Sequence, residues 1–255
     1  MILTYDGTYE GLLSAVFETY RLKIVPERIV PAADWQPTFF DQAVFVATRD
    51  DWAERVEQGI QKISGRKAVM LLRHCFLSER ADVSMLTFRF IRQTISRASD
   101  ISDNYANADV LRLHQLKKQI GREVHRMHAF VRFQRTRDNI YYAVIEPDFN
   151  VIPLIGAHFE DRYPAQDWLI YDVKRHYGIF YDQQKIDFVT FDNNNTLPLR
   201  QLQRDALDTT EPEYQQLWKT YFDNVNIPER RNLKLHHQHV PKRYWKYLSE
   251  KRAQF

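Results

Sequence analysis

A change of hydrophobic period near residue 130 constrains this chain's fold more than any other feature. Over residues 108–128, Leu113, Leu116, Ile120, Val124 and Met127 recur at steps of three and four, the spacing of one helical face. Immediately afterwards AFVRFQ, TRDN and IYYAVIEP read as a β-hairpin turning across Asp138 and Asn139. WLIYDV, HYGIFYD and KIDFVTF supply up to three further strands with tight turns between them. Strands gathered in this way predict an α+β protein with a mostly antiparallel central sheet of four or five strands, covered by helices.

The rest of the chain reads mainly as helix. Residues 2–5 form a short strand, Asp6 and Gly7 a turn, and Thr8 is placed to cap a helix that runs to Arg21. Three prolines mark residues 26–37 as a loop, and a short strand follows over 43–47. Asp50 is placed to cap a helix with Trp52, Val56 and Ile60 on one side, and residues 64–94 hold two buried helices separated near Ser78. Asn150 is placed to cap a short helix ending before Pro164, and helix resumes beyond Asn195 through Pro198, Leu202, Ala206 and Leu207, continuing over 213–221. The expected organisation is one compact unit. Within it, a soft break near 100 separates a mainly helical part, 1–100, from a helix-plus-sheet core, 101–229, and a basic segment, 230–255, follows.

Charge is distributed unevenly. Residues 230–255 carry eight Lys/Arg and one acidic residue, although the whole chain has a net charge of only +3. A concentrated positive segment with interleaved aromatics points to an anionic partner, nucleic acid first. Cys75, the only cysteine, sits among apolar residues in AVMLLRHCFL and fills core space; it excludes an internal disulfide and a cysteine-built zinc or iron–sulfur site. The N-terminus lacks a signal-peptide pattern and no apolar run approaches a membrane span, so a soluble cytoplasmic protein without membrane contact is expected.

Candidate functional residues fall in two groups. In HVPKRYWKYL, Lys242, Arg243 and Lys246 are offered to phosphates, and Tyr244 and Trp245 to base stacking, with Pro241 in the first turn of a short helix. The competing reading has Trp245, Tyr247 and Leu248 anchoring the segment while its charges stay in water. The second group is Arg122, Arg126 and Arg132, which line a positive groove if Arg132 lies within an aromatic strand. Glu146, ending the next strand, is the nearest sequence-local partner for Arg132, and His125 with Glu146 is the provisional pair for general acid–base chemistry. His236, His237 and His239 match no zinc signature, and no GxSxG, P-loop or GxGxxG is present, so no metal or cofactor is assigned to this chain.

The segments LLSAVFETY, HRMHAFVRF, YYAVIEPDFNVIPLIGAHFEDR, WLIYDVKRHYGIFYD and VPKRYWKYL resemble a bacterial family described as probable DNA-metabolism proteins. The resemblance spans nearly the whole chain. Its domain also resembles one fused to uracil-DNA-glycosylase-like proteins, and stand-alone members are typically encoded beside a radical SAM protein assigned to DNA modification or repair. The resemblance implies DNA rather than RNA as ligand and a radical SAM partner. The iron–sulfur cluster and SAM would belong to that partner, because one cysteine cannot ligate a cluster. The leading expectation is a nucleic-acid-binding accessory protein that presents substrate to this partner. An enzyme acting on a nucleotide or damaged base, and a protein-interaction scaffold whose tail docks on an acidic partner, are the alternatives.

Overall fold

The computed structural model describes residues 1–37, 42–191, 207–225, 240–249 and 251. Two compact units partition the chain, Met1–Gly121 and Arg122–Phe255, and the fold is α+β with one sheet in each.

The first unit is built on a three-stranded parallel sheet of order β2-β1-β3, from β1 (Ile2–Tyr5), β2 (Arg28–Pro31) and β3 (Ala43–Phe45). All four residues of β1 are buried, as expected of a central parallel strand. Helix α1 (Tyr9–Arg21) connects β1 to β2, and Thr8 caps it as the sequence indicates, its hydroxyl accepting from the Gly11 N–H at 2.9 Å. Reading 26–37 as a loop missed β2. Pro31 ends an edge strand, where a missing N–H is tolerated, while Ile29 and Val30 are buried.

Three helices follow, α2 (Asp50–Phe76), α3 (Val83–Arg97) and α4 (Ala108–Phe130). The break expected near Ser78 is present. A second interruption lies inside α2 at Gly65, whose φ of 74° glycine adopts at little cost. Asp50 is not the cap of α2; Arg49 holds that position, and its N–H donates to the Ser14 hydroxyl at 3.0 Å. The core of this unit is aliphatic and aromatic, with Leu12, Ile60, Leu72 and Leu113 fully buried. Cys75 lies among them, its thiol donating to the Leu113 carbonyl at 3.1 Å and pushed up to about 12 by burial, which leaves it unreactive.

The second unit carries a five-stranded sheet of order β4-β5-β6-β7-β8. Its strands are β4 (Gln134–Arg135), β5 (Tyr141–Ile145), β6 (Trp168–Asp172), β7 (Tyr177–Tyr181) and β8 (Ile186–Val189). This sheet is mixed: β5 and β6 run parallel and the other pairs antiparallel. The reason is α5 (Ile152–Arg162), a crossover helix between β5 and β6, which returns the chain in the same direction. Ile152, Ile155, Gly156 and Phe159 form its buried stripe. Asn150 does not cap α5; Val151 precedes it, and the Asn150 side chain accepts the Tyr177 hydroxyl. The sheet is tight at Gly178, where a Cβ would stand 2.3 Å from the Ile170 carbonyl oxygen.

Helix α6 (Glu211–Val225) and a 3-10 turn over Lys242–Tyr247 complete the unit. The helical start expected at Pro198, Leu202 and Ala206, and His236, His237, His239 and Arg230 of the basic segment, lie outside the described residues.

Candidate functional site

The last two turns of α4 set out the site. Apolar spacing names Val124 as the continuation of the buried stripe, but Glu123 takes that place at 1% exposure and Val124 is half-buried. Leu113, Leu116, Ile120, Glu123 and Met127 keep the three–four spacing, so geometry selects the position and a carboxylate fills it. Arg122 and His125 are exposed on the same helix, and Arg126 reaches back to Glu123 at 3.4 Å.

Glu123 meets the basic segment directly. One carboxylate oxygen accepts the Asp148 N–H at 2.9 Å and the Tyr244 hydroxyl, while the other lies 3.4 Å from the Arg243 guanidinium. Arg243 also pairs with the Asp148 carboxylate at 2.8 Å and lies 4.5 Å from the Tyr244 ring centroid. Burial, followed by the neighbouring Glu123 carboxylate, raises the Tyr244 phenol well above its usual range. Lys246 and Tyr247 form a second attachment, both donating to Glu146. Tyr244, Tyr247 and Leu248 are 2%, 8% and 2% exposed, so these three side chains anchor the turn. Trp245 is half-buried and folds onto its own segment, donating to the Val240 carbonyl at 3.0 Å.

A buried ion pair supports the first attachment from behind. Asp172, fully buried, accepts from Arg175 at 2.7 Å, and Arg175 also donates to the carbonyls of Pro147 and Asp148. Burial holds the Asp172 carboxyl above its ordinary range despite the guanidinium. The pair fixes the loop that presents Asp148 to Arg243.

The sequence-derived candidates are therefore redistributed. Arg243 and Lys246 face carboxylates of the body, and Tyr244 has almost no ring face in solvent. Lys242 remains exposed. Arg132 lies outside any strand, in the connection between α4 and β4, because α4 continues to Phe130 and β4 begins at Gln134. Its guanidinium donates to the Ala129 and Val131 carbonyls and stands 5.4 Å from the Trp218 ring centroid. His125 is an exposed helix residue, whereas Glu146 is bound by the tail. Among the described residues no group of three or more His, Cys, Asp or Glu side chains is arranged to hold a metal ion.

Sequence reasoning also missed a cavity of about 550 Å³ in the second unit, walled by Arg132, Arg135, Tyr141, Trp218 and Tyr247 among others. Glu211, at the start of α6, holds this wall together: it accepts the Arg135 N–H at 3.1 Å and the Gln215 amide at 3.0 Å. Arg135 bonds Asn139 at 2.6 Å, yet its buried Nε has no hydrogen-bond partner among the described residues. An unanswered buried donor costs about 1–3 kcal/mol. The helix read over 213–221 is present as α6, but spacing alone did not connect its Trp218 to Arg132.

The fold and site define an α+β protein whose basic terminal turn is clasped by buried and half-buried carboxylates next to an aromatic and arginine-walled cavity. A family model described as a domain of unknown function, DUF4130, matches residues 81–250, and the chain belongs to that family. No curated protein matches the chain. Among the described residues no helix is long and apolar enough to cross a membrane.

Proposed function

We propose that this protein is a nucleic-acid-binding accessory factor in DNA modification or repair, one that presents its substrate to a radical SAM partner enzyme. The observation that carries the reading is the cavity, where Arg132 and Arg135 stand among the rings of Tyr141, Trp218 and Tyr247. Arginine beside a partly exposed ring, Trp218 at 39%, suits a ligand that is both anionic and planar. The concentrated charge of the basic segment, of which Lys242 is exposed, adds a sequence-independent attraction for phosphate. The radical SAM partner and the preference for DNA rest on the family resemblance. His125 and Glu146 have no catalytic part in this reading, since Glu146 is engaged by Lys246 and Tyr247.

Anisotropy titrations with labelled single- and double-stranded DNA and RNA across a salt series test the proposal. Affinity should fall with salt at a log–log slope of roughly 0.7–0.9 per phosphate contacted. Arg132→Ala should weaken binding at every salt concentration. Absence of binding to all four ligands at low salt would refute the reading, and failure to associate with the co-expressed radical SAM protein would remove the presentation role.

A further inference from the structure

One carboxylate of the clasp stands in solvent. Glu123 accepts the Tyr244 hydroxyl and Glu146 the Tyr247 hydroxyl, and Leu248 is 2% exposed, so neutral donors and apolar burial already hold the turn. The Asp148 side chain is different: it is 47% exposed, and its one ion-pair partner among the described residues is Arg243, at 2.8 Å. Arg243, itself 41% exposed, also reaches Glu123 at 3.4 Å and donates to the Tyr244 hydroxyl at 2.8 Å. Arg126 shares Glu123 with Arg243, two cations on one carboxylate, so Asp148 supplies the charge that leaves this group neutral. More positive charge surrounds it. The Lys174 ammonium and the Arg175 guanidinium lie 3.4 and 3.2 Å from the Asp148 carbonyl oxygen, and Lys174 and Lys242 are exposed.

We propose that Asp148 is an intramolecular stand-in for a backbone phosphate, an autoinhibitory contact that masks Arg243 at rest and yields it to a bound strand. The inference rests on the nucleic-acid reading above and adds to it the regulation of the tail's charge. Carboxylate and phosphate offer a guanidinium similar oxygen acceptors, so one replaces the other while Arg243 stays in place. Glu123, 1% exposed, and the Tyr244 hydroxyl keep the guanidinium positioned during the exchange. The contact that must break is the exposed one, and exposed ion pairs are weak. A lone carboxylate from a protein partner would exchange like for like. A strand instead brings successive phosphates, which meet Lys242 and Lys174 as well as Arg243, and each contact releases counterions.

The test uses the full-length protein, labelled single-stranded DNA and the Asp148→Asn variant, which keeps the side chain's shape and removes its charge. Asp148→Asn should bind roughly two- to fivefold tighter at low salt, the range of an exposed ion pair. Its log–log salt slope should steepen by about 0.7, the value of one added phosphate contact. The gain should vanish in an Arg243→Gln background and survive in Arg243→Lys, which keeps the charge. An equal gain in Arg243→Gln would make it a long-range charge effect and overturn the mask. Hydrogen exchange over residues 240–249 should be unchanged by Asp148→Asn; lost protection there would make Asp148 a structural clamp and overturn the proposal. Equal affinity and slope in Asp148→Asn and the unsubstituted protein defeat the mask and leave nucleic-acid binding intact, whereas no binding by either defeats both. A gain for a glutamate-rich peptide without one for DNA would make the position a protein-docking site, which also overturns the inference.

Discussion

The two units solve the problem of a stable interior differently. Around its three-stranded sheet the first packs fully buried Leu12, Ile60, Leu72 and Leu113, with an inert thiol among them. The second buries carboxylates more deeply: Glu123 at 1% and Asp172 at 0% exposure, each tied to arginine, against 7% for Glu18 beside Arg21 in the first. Apolar packing is tolerant and directionless, whereas a buried carboxylate requires particular donors at particular places. Stability alone therefore accounts for the first interior. The second also specifies where the terminal turn docks, and hence the shape of the cavity whose wall includes Tyr247.

The sharpest way to break this contrast pairs Glu123→Ala with Leu72→Ala. Removing Glu123 leaves the Tyr244 hydroxyl and the Asp148 N–H without their acceptor, and should cost about 3–5 kcal/mol in the second unit. Leu72→Ala should cost a similar amount, about 2–5 kcal/mol, in the first. Native-state hydrogen exchange separates them. Glu123→Ala should expose amides of residues 240–249 and weaken oligonucleotide binding, while Leu72→Ala should lower protection of the first unit and leave affinity unchanged under folding conditions. Loss of binding in both variants would show that the two interiors do not divide the work in this way.

Much of this arrangement was legible in the sequence. Periodicity located α1, α4, β5, β6, β7 and β8 because each carries its own apolar pattern. Parallel pairing was not legible, since β1 with β2 and β5 with β6 depend on crossovers that period alone does not orient. The site was read through residue type, which favoured Val124 over Glu123 for the buried face and gave Arg243 and Lys246 to phosphates. Their carboxylate partners stand 120 and 100 residues away, beyond any local pattern. Tyr247 and Leu248 were correctly named as anchors in the competing reading of the tail, because their apolar character sufficed.

A smaller effect is expected at the second attachment. Lys246 and Glu146 are 50% and 29% exposed, so solvent screens their attraction and the ion pair itself contributes about 0–1 kcal/mol. Glu146→Gln should therefore shift the urea midpoint far less than Glu123→Ala. Its clearer consequence should be at the cavity, where Tyr247 would lose its carboxylate acceptor. A Glu146→Gln variant as unstable as Glu123→Ala would erase the distinction between the buried and the half-buried attachment.

The smallest effect concerns pH. His128 on α4 stacks on His158 of α5, with centroids 3.9 Å apart and planes at 15°. Burial, then His158 and His125, holds the His128 imidazole below its usual value near 6.5. The unfolded chain thus binds a proton more readily than the folded one, and the stability gained from a neutral His128 is lost as pH falls through about 6.5. His158, stacked on the ring, and His125, on the same helix, both disfavour a charge on His128. His128→Phe keeps an aromatic ring against His158 and removes the titration. Its urea midpoint should change less between pH 7.5 and pH 5.5 than that of the unsubstituted protein, a window of roughly one unit either side of the free imidazole value. An identical pH dependence would mean that the stacked pair does not couple protonation to the fold, and that the second interior's sensitivity resides in its carboxylates alone.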